Sequence, residues 1–535
     1  MSQKVRWSLL TVPVEIVYHV LDHLDELTIL YSIRNVCKRL NTITNTYDRY
    51  KTFTTLDFSR NEIKEQGAQR LTHALARNTT LTIINLNSNK IGDNGIDYLV
   101  RGLKNNQTLT ILNLNYNDIH ELGAQDLANL LLNNMTLITL ELSGNKIGVA
   151  GAQYIANALT KNTTLTTLDI SCNEIQDQGA QYIGAALTKN KTLITLHLQS
   201  NQIGSRGAQQ FANAFTVNNT LTILNLSYNA IQDTGAKQLA NALKTNMALT
   251  TLDLTRTQTG ELGAKEFSNI LTKNKTLAIL KLGDNQIDSQ AGVYLGSAMK
   301  HNKTLTTLDL SENDIRDAGV ISLASSLTNN TTLGILDLNK TGIEEQGAQH
   351  LARALINNTT LTMLDLGWNR IRDSGAEYLS HVFANNTALT SLNLENNEIG
   401  NQGAQCLANA LVNNKTLTTL DLCQNQIRDD GVRYLAQALT NNTTLTLLDL
   451  RHNQIGNDGA QHLANVLKTN RTLTKLNLQY NCIREEGAAR FARVLADSTT
   501  VATVYLRWNN FGQEVRPRLW KLANDNERLA LSAIM

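Results

Sequence analysis

The segment LTLLDLRHNQIGNDGAQHLANVLKTNRT, residues 445–472, recurs along most of the 535-residue chain at a spacing of 28 residues. One asparagine position shows the period best, because no insertion or deletion is needed to keep it in register. Only threonine replaces it, in two copies: the column reads Asn61, Asn89, Asn117, Asn145, Asn173, Asn201, Asn229, Thr257, Asn285, Asn313, Thr341, Asn369, Asn397, Asn425, Asn453, Asn481 and Asn509. Self-similarity at such a period predicts a solenoid, in which each copy packs against its neighbours.

Each copy is expected to begin with a short strand. Leu448 and Leu450 flank one residue, so in an extended chain both leucines point to one face and Asp449 points to the other. Asn453 follows where the chain turns out of the strand, and its amide can bond backbone groups that have lost a ladder partner. We therefore predict one strand per copy, and the strands of successive copies form a parallel sheet.

The second half of each copy is expected to be a helix. Gly459 opens a run with one narrow apolar stripe at positions i, i+3, i+4 and i+7, formed by Ala460, Leu463, Ala464 and Leu467. The small residues allow the helix to lie close to the sheet. Asn470 is predicted to end the helix, because asparagine tolerates the left-handed conformation that stops helices.

A second asparagine position recurs at the same period, from Asn78 to Asn470, without exception in fifteen copies. Many of these residues belong to N-x-T sequons, such as Asn442-Thr443-Thr444, which mark glycosylation sites in secreted proteins. The sequons fall on one corner between helix and strand, where asparagine and threonine are typical turn residues. We therefore interpret them as structural.

The copy resembles leucine-rich repeats of the ribonuclease-inhibitor type, both in its 28-residue length and in the helix motif G-A-x-x-L-A-x-A-L, as in residues 403–411. The resemblance implies an α/β fold, a solenoid with a parallel concave sheet and convex helices that curves into a horseshoe. We assign 17 copies to residues 52–510. The family includes inhibitors, innate-immune sensors and activators of small GTPases, so the repeat type implies protein contacts and no particular activity.

Residues 1–51 do not carry the repeat. Their apolar residues fall at helical spacing in three short runs, and Pro13 stands at a first-turn position. Three short helices are therefore expected. By pattern alone, this segment could simply cover the apolar end of the first copy, which a solenoid requires.

Three motifs in this segment resemble the F-box: VPVEI at residues 12–16, VLDHLD at 20–25 and VCKR at 36–39. F-box proteins recruit substrates to Skp–cullin–F-box ubiquitin ligases. The resemblance implies that residues 1–51 form an F-box-like helical domain that docks on a Skp-type adaptor. The residues it would place at the adaptor are Val12, Pro13, Glu15, Ile16, Leu21, Leu24, Val36 and Cys37.

The repeat pattern is lost after the last copy, and some copies in the middle of the array are irregular. Residues 511–535 are predicted to form a C-terminal cap, in which Leu519 and Trp520 close the last layer. Three internal copies depart from the pattern, at Thr257, Ala291 and Thr341. A weakly packed joint, the insertion point of a partner, or sequence drift in an array that tolerates substitution would each explain these copies.

The composition indicates which kinds of partner and which cellular compartment to expect. The formal net charge of +2 gives no broad basic field of the kind that nucleic-acid-binding domains carry. The five cysteines have no C-x-x-C spacing, which fits reduced thiols better than a disulfide or metal framework. No apolar run is long enough to span a bilayer. We expect a cytoplasmic or nuclear protein, monomeric outside its complex, without a membrane or nucleic-acid partner.

The sequence contains no catalytic motif of the P-loop, G-x-S-x-G or H-E-x-x-H kind, and its ten histidines are scattered. We therefore expect no catalysis, no cofactor and no metal.

The residue between the two strand leucines of each copy points onto the concave face of the predicted sheet. It is acidic in nine copies: Asp57, Glu141, Asp169, Asp253, Asp309, Asp337, Asp365, Asp421 and Asp449.

Three of these residues, Asp309, Asp337 and Asp365, come from consecutive copies. Neighbouring strands are about 4.8 Å apart, so the three carboxylates form a like-charge row that is unfavourable without compensation. A basic partner segment could supply the compensation. Alternatively, the carboxylates bond sideways to neighbouring threonine and asparagine side chains.

Aromatic and basic residues gather just after the strands of the last copies. They are Trp368, Arg451, His452, Tyr480, Arg507 and Trp508, and Tyr505 joins them from the strand itself. Trp, Tyr and Arg dominate the energetics of protein interfaces. We predict that these residues bind a partner together with Asp309, Asp337, Asp365, Asp421 and Asp449; packing of the cap is the alternative.

These patterns predict a non-catalytic substrate receptor of a ubiquitin ligase. The F-box-like segment would bind a Skp-type adaptor, and the concave face of the repeats would hold a protein substrate. The alternative is a binding-only scaffold, an inhibitor or an innate-immune-type sensor, in which the N-terminal helices only cap the array.

Overall fold

The computed structural model describes residues 54–76, 78–497, 503–512 and 514–519. These residues form two compact units, which divide after Leu252. Both units alternate three-residue strands with helices of 10 to 14 residues. Residues 1–53, which carry every predicted adaptor-binding residue, lie outside the described part of the chain.

The first unit contains strands β1 (Thr55–Asp57), β2 (Ile83–Asn85), β3 (Ile111–Asn113), β4 (Thr139–Glu141), β5 (Thr167–Asp169), β6 (Thr195–His197) and β7 (Ile223–Asn225), and β8 (Thr251–Asp253) lies at the division. Its helices are α1 (Lys64–Leu75), α2 (Gly92–Leu103), α3 (Glu121–Asn133), α4 (Gly148–Leu159), α5 (Gln176–Leu187), α6 (Ser205–Phe215) and α7 (Gln232–Leu243).

The second unit contains strands β9 (Ile279–Lys281), β10 (Thr307–Asp309), β11 (Ile335–Asp337), β12 (Met363–Asp365), β13 (Ser391–Asn393), β14 (Thr419–Asp421), β15 (Leu447–Asp449), β16 (Lys475–Asn477) and β17 (Thr503–Tyr505). Its helices are α8 (Glu261–Leu271), α9 (Ser289–Met299), α10 (Arg316–Leu327), α11 (Glu345–Leu355), α12 (Arg372–Asn385), α13 (Asn401–Leu411), α14 (Asp429–Asn441), α15 (Asn457–Val466) and α16 (Glu485–Asp497). Among the helices described, none is long and apolar enough to cross a membrane.

The strands pair in parallel with a constant shift of 28 residues, as the sequence predicts. This holds for β1 to β7 in the first unit and for β9 to β17 in the second. Leu448, for example, lies opposite Leu476. The central residue of every strand is a buried leucine, isoleucine or valine. One face of each sheet therefore packs against helices, and the other face is open.

Helix α15 shows how the helices approach the sheet. Its predicted stripe is buried, but the helix begins at Asn457 rather than at Gly459. Asp429 of the preceding copy accepts the N–H of Gly456 at 2.6 Å just before the helix. A Cβ atom at Gly459 would lie 2.6 Å from Oδ1 of Asp429 and 2.8 Å from Ile455. Glycine is thus required here for close packing between copies, not for starting the helix.

The first asparagine column bonds backbone groups at the turn after the strand, as predicted, and it also reaches the preceding copy. The side chain of Asn453 is 6% exposed. Its Nδ2 donates to the carbonyl oxygens of Leu450 and Arg451, each at 3.2 Å, and to that of Leu422 in the preceding copy at 2.9 Å. Its Oδ1 accepts the N–H of Ile427 at 2.9 Å. Each asparagine therefore ties the turn of one copy to the copy before it.

The two threonines of this column preserve part of the bonding. The hydroxyl of Thr257 donates to the Leu254 carbonyl at 2.7 Å, and that of Thr341 donates to the Leu338 carbonyl at 2.7 Å. A hydroxyl has one hydrogen, whereas an amide NH₂ group has two. Threonine can therefore close the turn of its own copy but lacks the second donor of asparagine.

The second asparagine column has a different role from the predicted one. Asn442 follows α14 with φ −72°, which is not the left-handed conformation. Its Oδ1 accepts the N–H groups of Thr444 at 3.0 Å and Leu445 at 2.8 Å, and its Nδ2 donates to the Leu411 carbonyl at 2.8 Å. The residue thus shapes the turn into the next strand and bonds the end of the preceding helix. At 2% exposure, Asn442 supports a structural interpretation of the sequons.

The predicted C-terminal cap is described only in part. Phe511, Val515 and Leu519 are 7%, 3% and 0% exposed, so apolar side chains do follow the last copy. Trp520 and residues 521–535 lie outside the described residues. Their contribution to the cap stays a prediction.

Asn397 provides a test of the asparagine column. It is fully buried, its Nδ2 donates to the carbonyls of Leu366 at 2.8 Å and Glu395 at 3.0 Å, and its Oδ1 accepts the N–H of Ile371 at 3.3 Å. We expect Asn397→Ala to lower the free energy of unfolding by about 2–4 kcal/mol, because it strands these buried backbone groups. Asn397→Thr should cost less, since Thr341 shows that a hydroxyl keeps one bond. Urea unfolding followed by circular dichroism measures both, and equal losses would contradict this account.

Candidate binding surface

The open face of each sheet is defined here as the side chains of the first and third residues of each strand and of the residue two positions after the strand. These side chains lie opposite the helices, because alternate residues of a strand point to opposite faces. Most of them are half-buried. The open face therefore combines partial desolvation with access to a partner.

The acidic row, Asp309, Asp337 and Asp365, lies on the open face of the second unit. The three residues are direct partners in the register of β10, β11 and β12. Each carboxylate accepts the backbone N–H of the residue two positions on, at 3.0, 3.0 and 2.9 Å: Ser311, Asn339 and Gly367. The predicted like-charge row is therefore present.

The carboxylates of the row differ in their other hydrogen bonds. Asp365 accepts Nδ2 of Asn393 at 2.9 and 3.1 Å and Nδ2 of Asn339 at 3.3 Å. Asp309 also accepts the hydroxyl of Ser311 at 2.7 Å. Among the described residues, Asp337 accepts only the backbone N–H of Asn339. The expected sideways bonding thus holds for Asp365 but not for Asp337.

Asp337 is the electrostatically strained member of the row. Its pKa is raised from 3.8 to about 6, mainly by burial; the Asn339 N–H opposes this shift, and the charges of Asp365 and Asp309 contribute to it. The carboxylate is still mainly ionised at neutral pH, in an environment that favours its neutral form.

A second acidic group on this face already contains its own cation. Arg451 donates from Nε to both carboxylate oxygens of Asp449, at 3.0 and 2.8 Å, and Asp449 is 7% exposed. The pKa of Asp421 is raised to about 7 by burial and, to a smaller extent, by the charge of Asp449, against the lowering effect of the Cys423 N–H. Ligand atoms of Asp421, Cys423 and Asp449 lie within 4.8 Å of one another, as a metal site requires. The guanidinium group of Arg451 already supplies a positive charge beside Asp449.

The first unit also pairs acidic groups with a basic neighbour. Glu141 lies opposite Asp169, which lies opposite His197. Burial raises the pKa of Glu141, as does Asp169, whereas the amide of Asn115 and the charge of His197 lower it. Compensation by a neighbouring basic side chain therefore occurs in both units.

The residue directly before the asparagine column has a positive φ in every described copy. Trp368, His452, Tyr480 and Trp508 have φ of 57°, 50°, 54° and 60°. This conformation costs roughly 1 kcal/mol for a residue with a Cβ atom. Large side chains at this position are exposed, including Trp368 and Tyr480 at 43% and Trp508 at 56%. The side chain at this position of the turn therefore points to solvent and does not pack in the core.

The aromatic stack, defined as His452, Tyr480 and Trp508, comes from three successive copies. The ring centroids of His452 and Tyr480 are 4.1 Å apart with an interplanar angle of 11°, and those of Tyr480 and Trp508 are 5.6 Å apart at 13°. Cζ of Arg507 lies 5.1 Å from the Trp508 ring. The rings therefore form one preformed, exposed surface.

The structure brings the predicted partner-binding residues into separate groups. The acidic row is one, the aromatic stack with Arg507 is another, and the third contains Asp421 and Asp449. Trp368 lies three copies before His452 and is not in the stack, Tyr505 is half-buried on β17, and Arg451 is bound to Asp449. Their roles in partner binding stay predictions.

Two apolar residues of the open face are absent from the sequence prediction. Ile335 and Met363 are 37% and 40% exposed, although each opens a strand and adjoins the acidic row. The sequence did show an aliphatic residue at a strand position that faces outward in both copies. It was missed because apolar residues of strands are usually assigned to the core.

The comparisons with known proteins agree with the repeat fold. The leucine-rich repeat family model matches twelve segments that make up more than half of the chain: residues 77–100, 105–128, 133–156, 161–184, 189–212, 217–240, 301–324, 357–380, 385–408, 413–436, 441–464 and 469–492. No curated protein sequence matches the chain.

Solved structures give weaker matches. An internalin from Listeria monocytogenes str. 4b F2365 is 24% identical, over 71% of this chain and 88% of that chain, with a TM-score of 0.43. Rad7, solved in complex with Elc1 from yeast, is 17% identical, over 72% of this chain and 83% of that chain, with a TM-score of 0.42. The family match and the parallel 28-residue units together establish that the chain belongs to the leucine-rich repeat family.

Proposed function

We propose that this chain is a non-catalytic receptor that binds a protein on the open face and adjoining turns of its second unit. The aromatic stack is the observation that carries the proposal. Its rings are held parallel by the scaffold while Tyr480 and Trp508 remain 43% and 56% exposed. Exposed tyrosine and tryptophan are typical hot-spot residues. Because their rings are already ordered, binding costs little additional side-chain entropy.

A protein fits this surface better than the other classes of ligand. The candidate groups are spread over several copies on an open surface, whereas small-molecule sites are usually concave and enclosed. Nucleic acid is disfavoured because the acidic row would repel phosphate groups. A protein surface can supply apolar and basic groups together.

Trp508→Ala tests this surface. We expect the affinity for a partner to fall about tenfold or more, which is about 1.4 kcal/mol, while the fold is retained because the ring is 56% exposed. Arg451 is left unchanged because its loss would strand the buried Asp449 carboxylate. The matched control is Tyr116→Ala, which removes a 57% exposed ring with the same positive φ in the first unit.

The measurement is the dissociation constant for a partner identified by cross-linking to the second unit, determined by biolayer interferometry. The control variant should bind like the unchanged protein. Equal weakening by both substitutions, or by neither, would remove the aromatic stack from the binding surface.

We further propose that residues 1–51 dock this receptor on a Skp-type adaptor. The chain would then be the substrate-recognition subunit of a Skp–cullin–F-box ubiquitin ligase, in the cytoplasm or nucleus. The support is the sequence resemblance of residues 12–16, 20–25 and 36–39 to the F-box. No chemistry is required of the chain itself, since a receptor acts by holding a substrate near the ligase.

Adaptor binding is tested by pull-down of the full chain with purified Skp-type adaptor. We expect the unchanged chain to bind at micromolar concentration and the double variant Pro13→Ala, Glu15→Ala to lose about tenfold or more in affinity. The control is Thr42→Ala, Thr44→Ala, which alters the same segment outside the F-box-like motifs. Absence of binding by the folded, unchanged chain would favour the binding-only scaffold or inhibitor.

A further inference from the structure

The acidic row differs from neighbouring carboxylates because none of its members forms an ion pair with a basic side chain among the described residues. Asp253 has Nζ of Lys281 at 3.5 Å, and Asp449 has Nε of Arg451 at 2.8 Å. In the part of the chain that the structure describes, no lysine or arginine forms an ion pair with Asp309, Asp337 or Asp365. Lys281 lies opposite Asp309 in the strand register, but its Nζ pairs with Asp253. The described residues therefore leave the charge of Asp337 on a half-buried surface without an ion pair.

The fold does not require this charge. Asn393 and Asn477 occupy the same position in other copies, and their Oδ1 atoms accept the equivalent backbone N–H groups at 2.8 and 3.3 Å. An amide oxygen can thus make the turn bond that the carboxylates of the row make. A carboxylate adds only charge, and three adjacent charges are unfavourable in the free protein.

Aliphatic surface adjoins the charge. Ile335 and Met363 open β11 and β12, two residues before Asp337 and Asp365, so they point to the same face. They are 37% and 40% exposed. A ligand that reached the carboxylates would therefore also cover apolar side chains.

We infer that the acidic row, with Ile335 and Met363, binds an extended segment of a partner protein that carries lysine or arginine next to apolar residues. The basic group would lie over Asp337, and the apolar side chains would lie on Ile335 and Met363. The inference rests on the proposed receptor function and specifies the chemistry of the partner. A long basic side chain suits both parts of this surface, because its stem is apolar and its end is charged.

Binding of such a segment should depend on pH. The charged groups that face Asp337 are Asp309 on β10 and Asp365 on β12, while Lys340 in the following turn is engaged by Glu312 at 2.9 Å. A bound cation favours the ionised form of Asp337, whose pKa in the free protein is about 6. Affinity should therefore be full above this pKa and decrease as the pH falls through it.

The experiment measures fluorescence anisotropy of labelled peptides mixed with the full chain. The probe is a short peptide with two lysines and two leucines, and its control replaces both lysines by glutamine. The test variant is Asp337→Asn, which retains an acceptor for the Asn339 N–H. The matched variant is Glu377→Gln, which removes one exposed charge from α12 on the helical side. Low salt, about 50 mM, limits screening.

We expect the lysine peptide to bind at least about fivefold more tightly than the glutamine peptide. Asp337→Asn should remove most of this preference without lowering the melting temperature, and Glu377→Gln should change affinity less than about twofold. Lowering the pH from about 7.5 to about 5.5 should weaken binding to the unchanged chain more than binding to Asp337→Asn.

Equal affinity for the two peptides, equal effects of the two substitutions, or no binding at about 1 mM peptide would overturn the inference. The receptor proposal is judged separately with the cross-linked partner. If that partner depends on Trp508 but not on Asp337, the receptor function stands and the basic segment is excluded. If it depends on neither residue, both proposals fail.

Discussion

The hydrogen bonds of the first asparagine column are the constraint on which the rest of the described structure depends. A three-residue strand leaves backbone groups at its end without partners, and each buried unpaired group costs about 1–3 kcal/mol. Asn453 bonds such groups in its own copy and the Leu422 carbonyl of the preceding copy. Apolar contacts between copies are non-directional, whereas the hydrogen bonds of the asparagine amides form only when neighbouring copies lie in one relative position. The column therefore sets the 28-residue register, and the leucines supply most of the burial.

A fixed turn also determines what the surface can present. Because the turn is the same in successive copies, the residue before the asparagine column is held at a positive φ whatever its side chain. Core packing then does not restrict which residue occupies this position, so large residues such as Trp368 and Trp508 are accommodated there. Repetition of one backbone conformation makes side chains leave adjacent copies in parallel. The small interplanar angles of the aromatic stack, 11° and 13°, follow from this repetition.

The sequence was sufficient to predict features that depend on one copy and its period: the strands, the helical stripe, the parallel register and the bonding of Asn453. It failed where bonds between particular side chains decide. Asn470 was predicted to end its helix because asparagine tolerates the left-handed conformation. Asn442, at the equivalent position one copy earlier, instead bonds forward to the next strand and back to the helix of the preceding copy, with φ at −72°. The sequence also did not reveal that Arg451 pairs with Asp449, because this pairing depends on how deeply the two side chains are buried; the interface role of Arg451 stays a prediction. Residues 12–37 are known only by their motifs.

The two acidic groups of the second unit show why local charge matters more here than the net charge of +2. Asp421 and Asp337 are both half-buried carboxylates with raised pKa values, of about 7 and about 6. Beside Asp421, however, Arg451 supplies a cation, whereas no described basic side chain pairs with the acidic row. In a solenoid each layer contacts only its neighbours, and Lys281, the basic residue in register with Asp309, pairs with Asp253. Charges more than about 10 Å away are largely screened, so a basic group that stabilises Asp337 has to lie close to it. A partner segment bound on the open face would supply such a group.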